Sequence, residues 1–378
     1  ENVLGVETFR PQRVIYLCPP EIAKDKNAQQ ILRDFFQWRG LSVKAEFVET
    51  SLYKADHILL QLRRLAGSCP DAALDVTGGT DAALFAAGMF CREANMPAFT
   101  YSRKNNRFYD INQAPFADRR PCRLQYRVED FFRMTGGTLR KGRVDNRKLD
   151  NYLDMIDPFF SLFLENRRKW NELITFMQRI SQSAKGEEAP LQVSGSMEQK
   201  GEHGSRVHAD PELFRKLKEL GLLTELDIRE AEQQITFAFA DQQVRFWLRD
   251  TGSVLELYMY KVCRDSGIFG DVISSAIVDW DGTNEKGSVS NEIDVVASRG
   301  VVPVFISCKA CEIKTEALNE LAILRDRFGG KGAKAIIAAT ENCNAAARHR
   351  AAQLGIAVID LEELETGKAG ERIRIIMK

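Results

Sequence analysis

Apolar and polar positions alternate with two different periods along the first hundred residues. The run 13–18 is short and apolar and is closed by Pro19-Pro20, the pattern of a strand followed by a breaker. Within 27–39 the apolar positions 31, 32, 35, 36 and 38 form the stripe of an amphipathic helix, which Gly40 ends. Val43, Ala45 and Phe47 alternate with polar neighbours over 42–49, so a strand is expected there. Ile58, Leu59, Leu62 and Leu65 share one face of a helix over 54–66, 72–76 reads as a buried strand, and 79–94 reads as an alanine-rich helix. The segments 98–102 and 107–111 flank Lys104-Asn105-Asn106 as a hairpin. Repeated strand–helix units predict a mainly parallel sheet with helices on both faces. Ligands of such sheets bind in the crevice beyond the carboxyl ends of the strands.

The period changes after this region. Residues 114–150 read as a basic, glycine-containing connector, and 150–183 as a long helix or helix pair carrying Tyr152, Leu153, Ile156, Phe159, Phe160, Phe163 and Leu164. The polar stretch 184–208 reads as a linker or mobile loop. Asp210-Pro211 starts a helix that Gly221 stops, and a second short helix is expected from Thr224. A hairpin of 235–239 and 244–248 around Asp241-Gln242 then completes a winged-helix order. The second helix would carry Glu225, Asp227, Glu230 and Glu232 against Arg229 alone. That acidity opposes phosphate contact and favours a spacer over a DNA-reading element. The last third predicts helix 253–264, strands 291–297 and 302–308, helix 316–328, strand 334–339, helix 343–354 and strand 356–360, a compact α/β unit with a mixed sheet. The expected division is 1–140, 141–250 and 251–378.

Bulk properties narrow the function classes. At 378 residues the chain accommodates two or three domains. No apolar run approaches the ~20 residues that span a bilayer. There is no signal-peptide pattern, so no membrane partner and a cytoplasmic location are expected. The chain opens at Glu1 and runs directly toward the first strand, so an earlier N-terminal segment is expected. The eight cysteines are scattered and read as reduced thiols, and Cys308-x-x-Cys311 is a single pair where structural zinc wants four ligands. The zero net charge hides an asymmetry: residues 1–150 hold 24 Lys+Arg against 18 Asp+Glu, and the rest 29 against 35. A mildly basic first domain suits an anionic ligand.

Two clusters carry chemistry. The first is Asp75-Val76-Thr77-Gly78-Gly79-Thr80-Asp81, a strand end, a glycine turn and a helix start. Glycines let a ligand approach the backbone, and helix-start N–H groups favour phosphate. The plainer alternative is an ordinary strand–helix turn with Thr80 as its cap. The second cluster is Asp294 and Lys309 on adjacent apolar strands, with Glu256 on the preceding helix. An acid and a lysine so placed can hold a divalent metal and orient a water, as phosphodiester hydrolysis requires. Against this, Ser253-x-x-Glu256 reads as a capping box and Asp294 could simply pair with Lys309. Glu292 shares strand parity with Asp294 and could serve as a further acid.

The spacing from Asp294 to Ser307-Cys308-Lys309 resembles the PD-(D/E)XK nuclease core, with Ser307 standing where that family has Asp or Glu. The sequence Asp75–Asp81 resembles the signature of CARF domains, the CRISPR-associated Rossmann-fold sensors of cyclic oligoadenylates, with Asp81 where Lys is common. The order is that of the cyclic-oligoadenylate-activated CARF nucleases of type III CRISPR immunity. The resemblance implies an α/β chain with an N-terminal Rossmann-like CARF domain, a helical, winged-helix-like connector and a C-terminal PD-(D/E)XK nuclease-like domain. It implies a homodimer clasping one cyclic oligoadenylate, with cyclic tetra-adenylate the expected ring. Ligand-binding residues would be Cys18, Pro19, Thr77, Gly78, Gly79, Thr80 and Asp81. Catalytic residues would be Asp294, Lys309, Glu256 and Glu292, with Mg²⁺ or Mn²⁺ on Asp294, Glu256 and Glu292, cutting DNA and, as a second candidate substrate, RNA. The competing expectation is a non-enzymatic sensor whose degenerate nuclease domain is marked by Ser307.

Overall fold

The computed structural model describes residues 2–140, 146–181, 189–201, 205–282 and 289–378. It divides into two units, Glu1–Thr138 with Trp280–Ser288, and Leu139–Asp279 with Val289–Lys378.

In the first unit, helix Asn2–Phe9 precedes strand Arg13–Cys18, which pairs in parallel with Lys44–Glu49. Helices Pro20–Lys24 and Lys26–Trp38 make the crossover. Strand Leu74–Asp75, shorter than expected, pairs in parallel with Ala98–Ser102, which turns back antiparallel to Arg107–Asn112. The strands form two small sheets, not one continuous sheet. Helices Ala55–Ala66 and Asp81–Ala94 bury Ile58, Leu59 and Leu62 against Ala86, Phe90 and Cys91. A buried polar network holds the other side of this unit. Arg39 bridges Glu7 at 2.8 Å and Asp130 at 3.0 Å, Trp38 Nε1 donates to Asp130 at 2.8 Å, and the Tyr126 hydroxyl donates to Glu7. Buried charges are tolerated when paired in this way. Part of the expected connector 114–150 therefore belongs to a core, since helix Val128–Met134 also buries Phe131 and Phe132.

In the second unit a six-stranded sheet runs in the order Ile356–Ile359, Lys334–Ala339, Val302–Lys309, Ser290–Arg299, Asp271–Asp279, Thr138–Arg140. The first three strands are parallel, and Val302–Lys309, Ser290–Arg299 and Asp271–Asp279 are successively antiparallel. Strand Asp271–Asp279 is unexpected, because Ser274-Ser275 breaks its apolar run. Helix Ser253–Asp265 covers the sheet, and one apolar cluster runs from Phe159 and Trp170 through Phe237 and Trp247 to Ile306 and Ile336. Residues 149–248 thus share a core with the α/β sheet. Among the described residues no helix is long and apolar enough to cross a membrane.

The middle of the chain departs from expectation in three places. The stretch 192–200 and 206–208 forms strands: Gln192–Ser196 pairs with Gln234–Phe239, and Glu198–Lys200 with Arg206–His208. The linker residues 184–188 and 202–204 lie outside the described residues. The segment from Thr224 is strand Leu223–Arg229, because Leu226 and Ile228 alternate with exposed Glu225, Asp227 and Arg229 at the period of a strand. Residues 244–248 fall in and just beyond helix Gln242–Trp247, with Val244, Trp247 and Leu248 buried at helical spacing. The hairpin is therefore Leu223–Arg229 with Gln234–Phe239, and helix Pro211–Glu219 has no second helix beside it in a winged-helix order.

Asp241 fixes this last helix. Its Oδ1 accepts from Val244 N–H at 2.9 Å as an N-cap, and its Oδ2 accepts from the Tyr152 hydroxyl. Asp241→Ala is expected to lower stability by about 1–2 kcal/mol, with Tyr152→Phe losing a smaller part. Urea denaturation followed by tryptophan fluorescence checks both.

Candidate functional site

Strands Ser290–Arg299 and Val302–Lys309 pair only from Arg299 opposite Val302 to Val295 opposite Ile306. Beyond that point Val302–Lys309 stays with Lys334–Ala339 as far as Lys309 opposite Ala339, and Ser290–Arg299 stays with Asp271–Asp279 as far as Ser290 opposite Asp279. The sheet forks at Asp294 and Ser307. Across the fork, Asp294 Oδ2 accepts from Cys308 N–H at 2.6 Å and from the Ser307 hydroxyl at 3.2 Å, and Lys309 Nζ lies 3.8 Å away. On the other flank, Ser275 has a left-handed backbone (φ 52°), and the Ser275–Asp294 pair drops out of an otherwise constant register.

Glu256 comes from the first turn of helix Ser253–Asp265. The expected capping box is not formed, because Asp250 takes its donors: Asp250 Oδ2 accepts from Gly252 N–H at 3.1 Å, Ser253 N–H at 2.8 Å and the Ser253 hydroxyl at 2.9 Å. Among the described residues the Glu256 carboxylate has no hydrogen bond or ion pair. Burial pushes its pKa up to about 9, reinforced by Asp294, Asp250 and Glu292 and opposed by Lys309. Burial also raises Asp294, against the pull of Lys309, the Cys308 N–H and the Ser307 hydroxyl. Glu292 keeps the expected parity but sits exposed, and its Oε1 accepts from the Ser275 hydroxyl. The structure thus brings Glu256, Asp294 and Lys309 together and leaves Glu292 on the rim. Asp250, which the sequence reading missed, was signalled by Asp-x-Gly-Ser just before the helix.

Carboxylates outnumber cations here, and an uncompensated buried carboxylate needs a proton or a cation. Glu256 and the Oδ1 of Asp294, unbonded among the described residues, are hard oxygen donors that fit a divalent ion completed by main-chain oxygen and water. Among the described residues no three His, Cys, Asp or Glu side chains converge as a ready-made metal cage.

The N-terminal loop has a different character. The Thr77 hydroxyl donates to Asp75 and accepts from Tyr101 N–H at 2.9 Å. The Thr80 hydroxyl donates to the Leu52 carbonyl and caps its helix by accepting from Ala83 N–H at 3.2 Å. Both hydroxyls are hydrogen-bonded within the protein itself. Gly78 and Gly79 are exposed, and their N–H groups make no backbone hydrogen bond among the described residues. Gly79 has φ 141°, and a Cβ there would meet Ala83 Cβ at 3.3 Å. Asp81 is exposed at the helix start. Cys18 is buried, its thiol donating to Val48 O at 3.8 Å, whereas Pro19 lines a cavity of about 470 Å³ together with Thr50, Leu52, Tyr53, His57 and Gln61. Through Leu52 the Thr80 hydroxyl ties the glycine loop to this cavity.

Residues 241–374 match the family model described as Card1-like, endonuclease domain. The stretch contains Glu256, Asp294, Ser307 and Lys309, so the nuclease reading of the last third is borne out in sequence. Over its whole length the fold is similar to two solved structures. Can2 from Sulfobacillus thermosulfidooxidans, in complex with cyclic tetra-adenylate, aligns with TM-score 0.71 at 20% identity, covering 100% of this chain and 96% of that one. Protein VC1899 from Vibrio cholerae aligns with TM-score 0.75 at 17% identity, covering 99% and 95%. At these identities the likeness is one of fold, and it bears out the α/β class expected from sequence. No curated protein matches the chain in sequence.

The Glu256 environment has a measurable consequence. Its pKa is raised from an ordinary 4.5 to about 9, so between those values the folded chain keeps a proton that the unfolded chain has lost. Its contribution to stability therefore falls as pH rises through that window. In metal-free buffer Glu256→Gln is expected to melt a few degrees above wild type at pH 8, with the difference closing toward pH 5. Thermal melts across that range check it.

Proposed function

We propose that this chain is a metal-dependent endonuclease switched on by a cyclic oligoadenylate, with cyclic tetra-adenylate the first candidate, in type III CRISPR antiviral defence. DNA is the primary substrate proposed and RNA the second. The observation that carries the reading is the coincidence of the forked sheet bearing Asp294, Ser307 and Lys309 with the stretch that matches a Card1-like endonuclease domain. The full-length likeness to Can2, solved with cyclic tetra-adenylate, supports the ligand class.

Glu256 and Asp294 would hold Mg²⁺ or Mn²⁺. When bound, such an ion lowers the pKa of a water and offsets phosphate charge. The remaining work falls to side chains. The Cys308 N–H and the Ser307 hydroxyl hold Asp294 in place, and the Lys309 ammonium, about one-third exposed, stabilises charge on the pentacoordinate phosphorus. Ser307 is employed rather than vestigial, which argues against the non-enzymatic alternative. Glu292 acts from the rim through Ser275.

In the N-terminal unit the Gly78 and Gly79 N–H groups at a helix start suit phosphate. Beside them Leu60, Leu84, Phe85 and Met89 form an exposed apolar face on helices Ala55–Ala66 and Asp81–Ala94. A second copy of the chain is the occupant proposed for it, because a two-fold ring calls for the same loop twice.

Asp294→Ala is expected to abolish cleavage, and Lys309→Ala to slow it about a hundred- to a thousand-fold, whereas Glu292→Gln retains far more activity than either. EDTA should silence the wild type. Plasmid and single-stranded DNA and RNA cleavage, with Mn²⁺ and cyclic tetra-adenylate, checks all four; undiminished cutting by Asp294→Ala would sink the assignment.

Gly79→Val is expected to lose ligand binding and stimulated cleavage together, because it forces a branched side chain into a left-handed turn. Isothermal titration with cyclic tetra-adenylate checks it, and unchanged affinity would remove the loop from the sensor site.

A further inference from the structure

We infer that Asn146 is a positioning residue of the nuclease site: its side-chain amide anchors strand Asp271–Asp279 beside the left-handed Ser275 and so keeps room around the Asp294 carboxylate for a divalent ion. This inference rests on the metal-dependent endonuclease reading proposed above.

Asp294 lies where the sheet gives way on both sides. Toward Val302–Lys309 the pairing ends at Val295 opposite Ile306. Toward Asp271–Asp279, Ser274 pairs with Val295 and Ala276 with Ile293, but the pair between them, Ser275 with Asp294, is missing. Ser275 is buried, and its φ is 52°. That conformation brings Cβ against the following carbonyl and is disfavoured for a serine. A residue held in it is imposed on by its surroundings, and such residues gather at functional sites.

The imposing group is Asn146. Ser274 N–H donates to Asn146 Oδ1 at 2.7 Å, and Asn146 Nδ2 donates to Ser274 O at 2.9 Å. A side-chain amide carries an acceptor and a donor side by side, so it can satisfy both main-chain groups of one residue as a neighbouring strand would. Strand Thr138–Arg140 borders Asp271–Asp279 in the sheet, and Arg140 Nε donates to Asp279 Oδ2 at 3.0 Å. Further along the chain, Asn146 takes over that role at Ser274. The strand is thus fixed at Ser274 and back in register at Ala276, which confines the left-handed turn to Ser275, whose hydroxyl donates to Glu292. With the anchor lost, Ser274 lacks its partners, the strand relaxes toward an extended Ser275, and its backbone closes on Asp294. The other lip of the site cannot give way, because the Cys308 N–H and the Ser307 hydroxyl already hold Asp294 Oδ2.

The test titrates the full chain with Mn²⁺ in the absence of nucleic acid and follows free Mn²⁺ by electron paramagnetic resonance. Asn146→Leu, similar in size but without the polar atoms, is expected to bind Mn²⁺ about tenfold more weakly, as loss of a group supporting a metal ligand does. In DNA cleavage at fixed Mn²⁺ it should lower kcat and leave the KM for DNA unchanged. Ser275→Gly added to Asn146→Leu should recover most of the Mn²⁺ affinity, because glycine holds a left-handed turn without an anchor. Thermal melts confirm that the variants are folded. If Asn146→Leu does not fold, Asn146→Asp, which keeps the acceptor for Ser274 N–H, takes its place in every comparison. Wild-type Mn²⁺ affinity in the position-146 variant, with Asp294→Ala binding none, overturns this inference alone. Weakened affinity that Ser275→Gly leaves unrepaired also overturns it. If wild type binds no Mn²⁺, the metal reading falls, and this inference with it.

Discussion

The backbone N–H of Cys308 donates to the carboxylate of Asp294 and not to a strand carbonyl, and the C-terminal site is organised around that substitution. A strand with two neighbours must leave one of them wherever their directions diverge, and Val302–Lys309 leaves Ser290–Arg299 after Ile306. A main-chain donor freed inside a sheet needs an acceptor. Asp294 supplies it from the opposite lip of the fork, which also holds the carboxylate in one orientation. A charge-assisted bond of this kind is stronger than a neutral one and shifts a carboxylate toward its ionised form. Ser307 adds a second donor, and Lys309, two residues further on the same face, arrives where the fork opens.

Charge balance separates this site from a structural salt bridge. An isolated acid–lysine pair would bring one charge of each sign into contact. Here Lys309 stands at 3.8 Å from Asp294, about a third exposed, and also acts on Glu256, which is surrounded by Asp294, Asp250 and Glu292. Asp250 is occupied in capping the helix, and Glu292 has Ser275 as its partner. Glu256 is left with neither donor nor cation among the described residues and is driven toward its protonated form. That is an unfavourable arrangement for folding alone, and a carboxylate kept in such a setting is characteristic of a functional site. The stability it withholds would return if, as proposed, a divalent ion replaced the proton, since a ligand that binds only the folded state stabilises it.

The parts of this architecture legible in the sequence were those where local pattern and tertiary packing agree. Asp294 stood out because a charge in an apolar strand demands a partner, and Lys309 because it ends the next strand. The errors arose where two patterns fit the same residues. Leu223–Arg229 is short and follows a helix and Gly221, a setting that suggests a second helix, whereas its two-residue alternation makes it a strand. Val244, Phe246 and Leu248 alternate as a strand would, but the Asp241 cap makes Gln242–Trp247 a helix. Ser253 and Glu256 have capping-box spacing, but Asp250 lies close enough to take the same N–H groups, a competition that spacing alone does not decide.

The N-terminal unit reaches specificity by a different route from the nuclease site. Its conspicuous hydroxyls, Thr77 and Thr80, hold the loop against Asp75, Tyr101 and Leu52, so the loop is shaped before any ligand arrives. Preorganisation of this sort lowers the entropy lost on binding. The exposed donors are backbone N–H groups at a helix start, which attract any anion, and Asp81 beside them weakens that attraction. Thr80 also links the loop to the neighbouring cavity through the Leu52 carbonyl. Activation still requires that the ligand bind the active arrangement better than the resting one, and about 1.4 kcal/mol of differential binding shifts that equilibrium tenfold. In the dimer proposed above, two copies of the loop on one symmetric ring would double every such contact, the physical advantage a dimeric sensor has over a single binding loop.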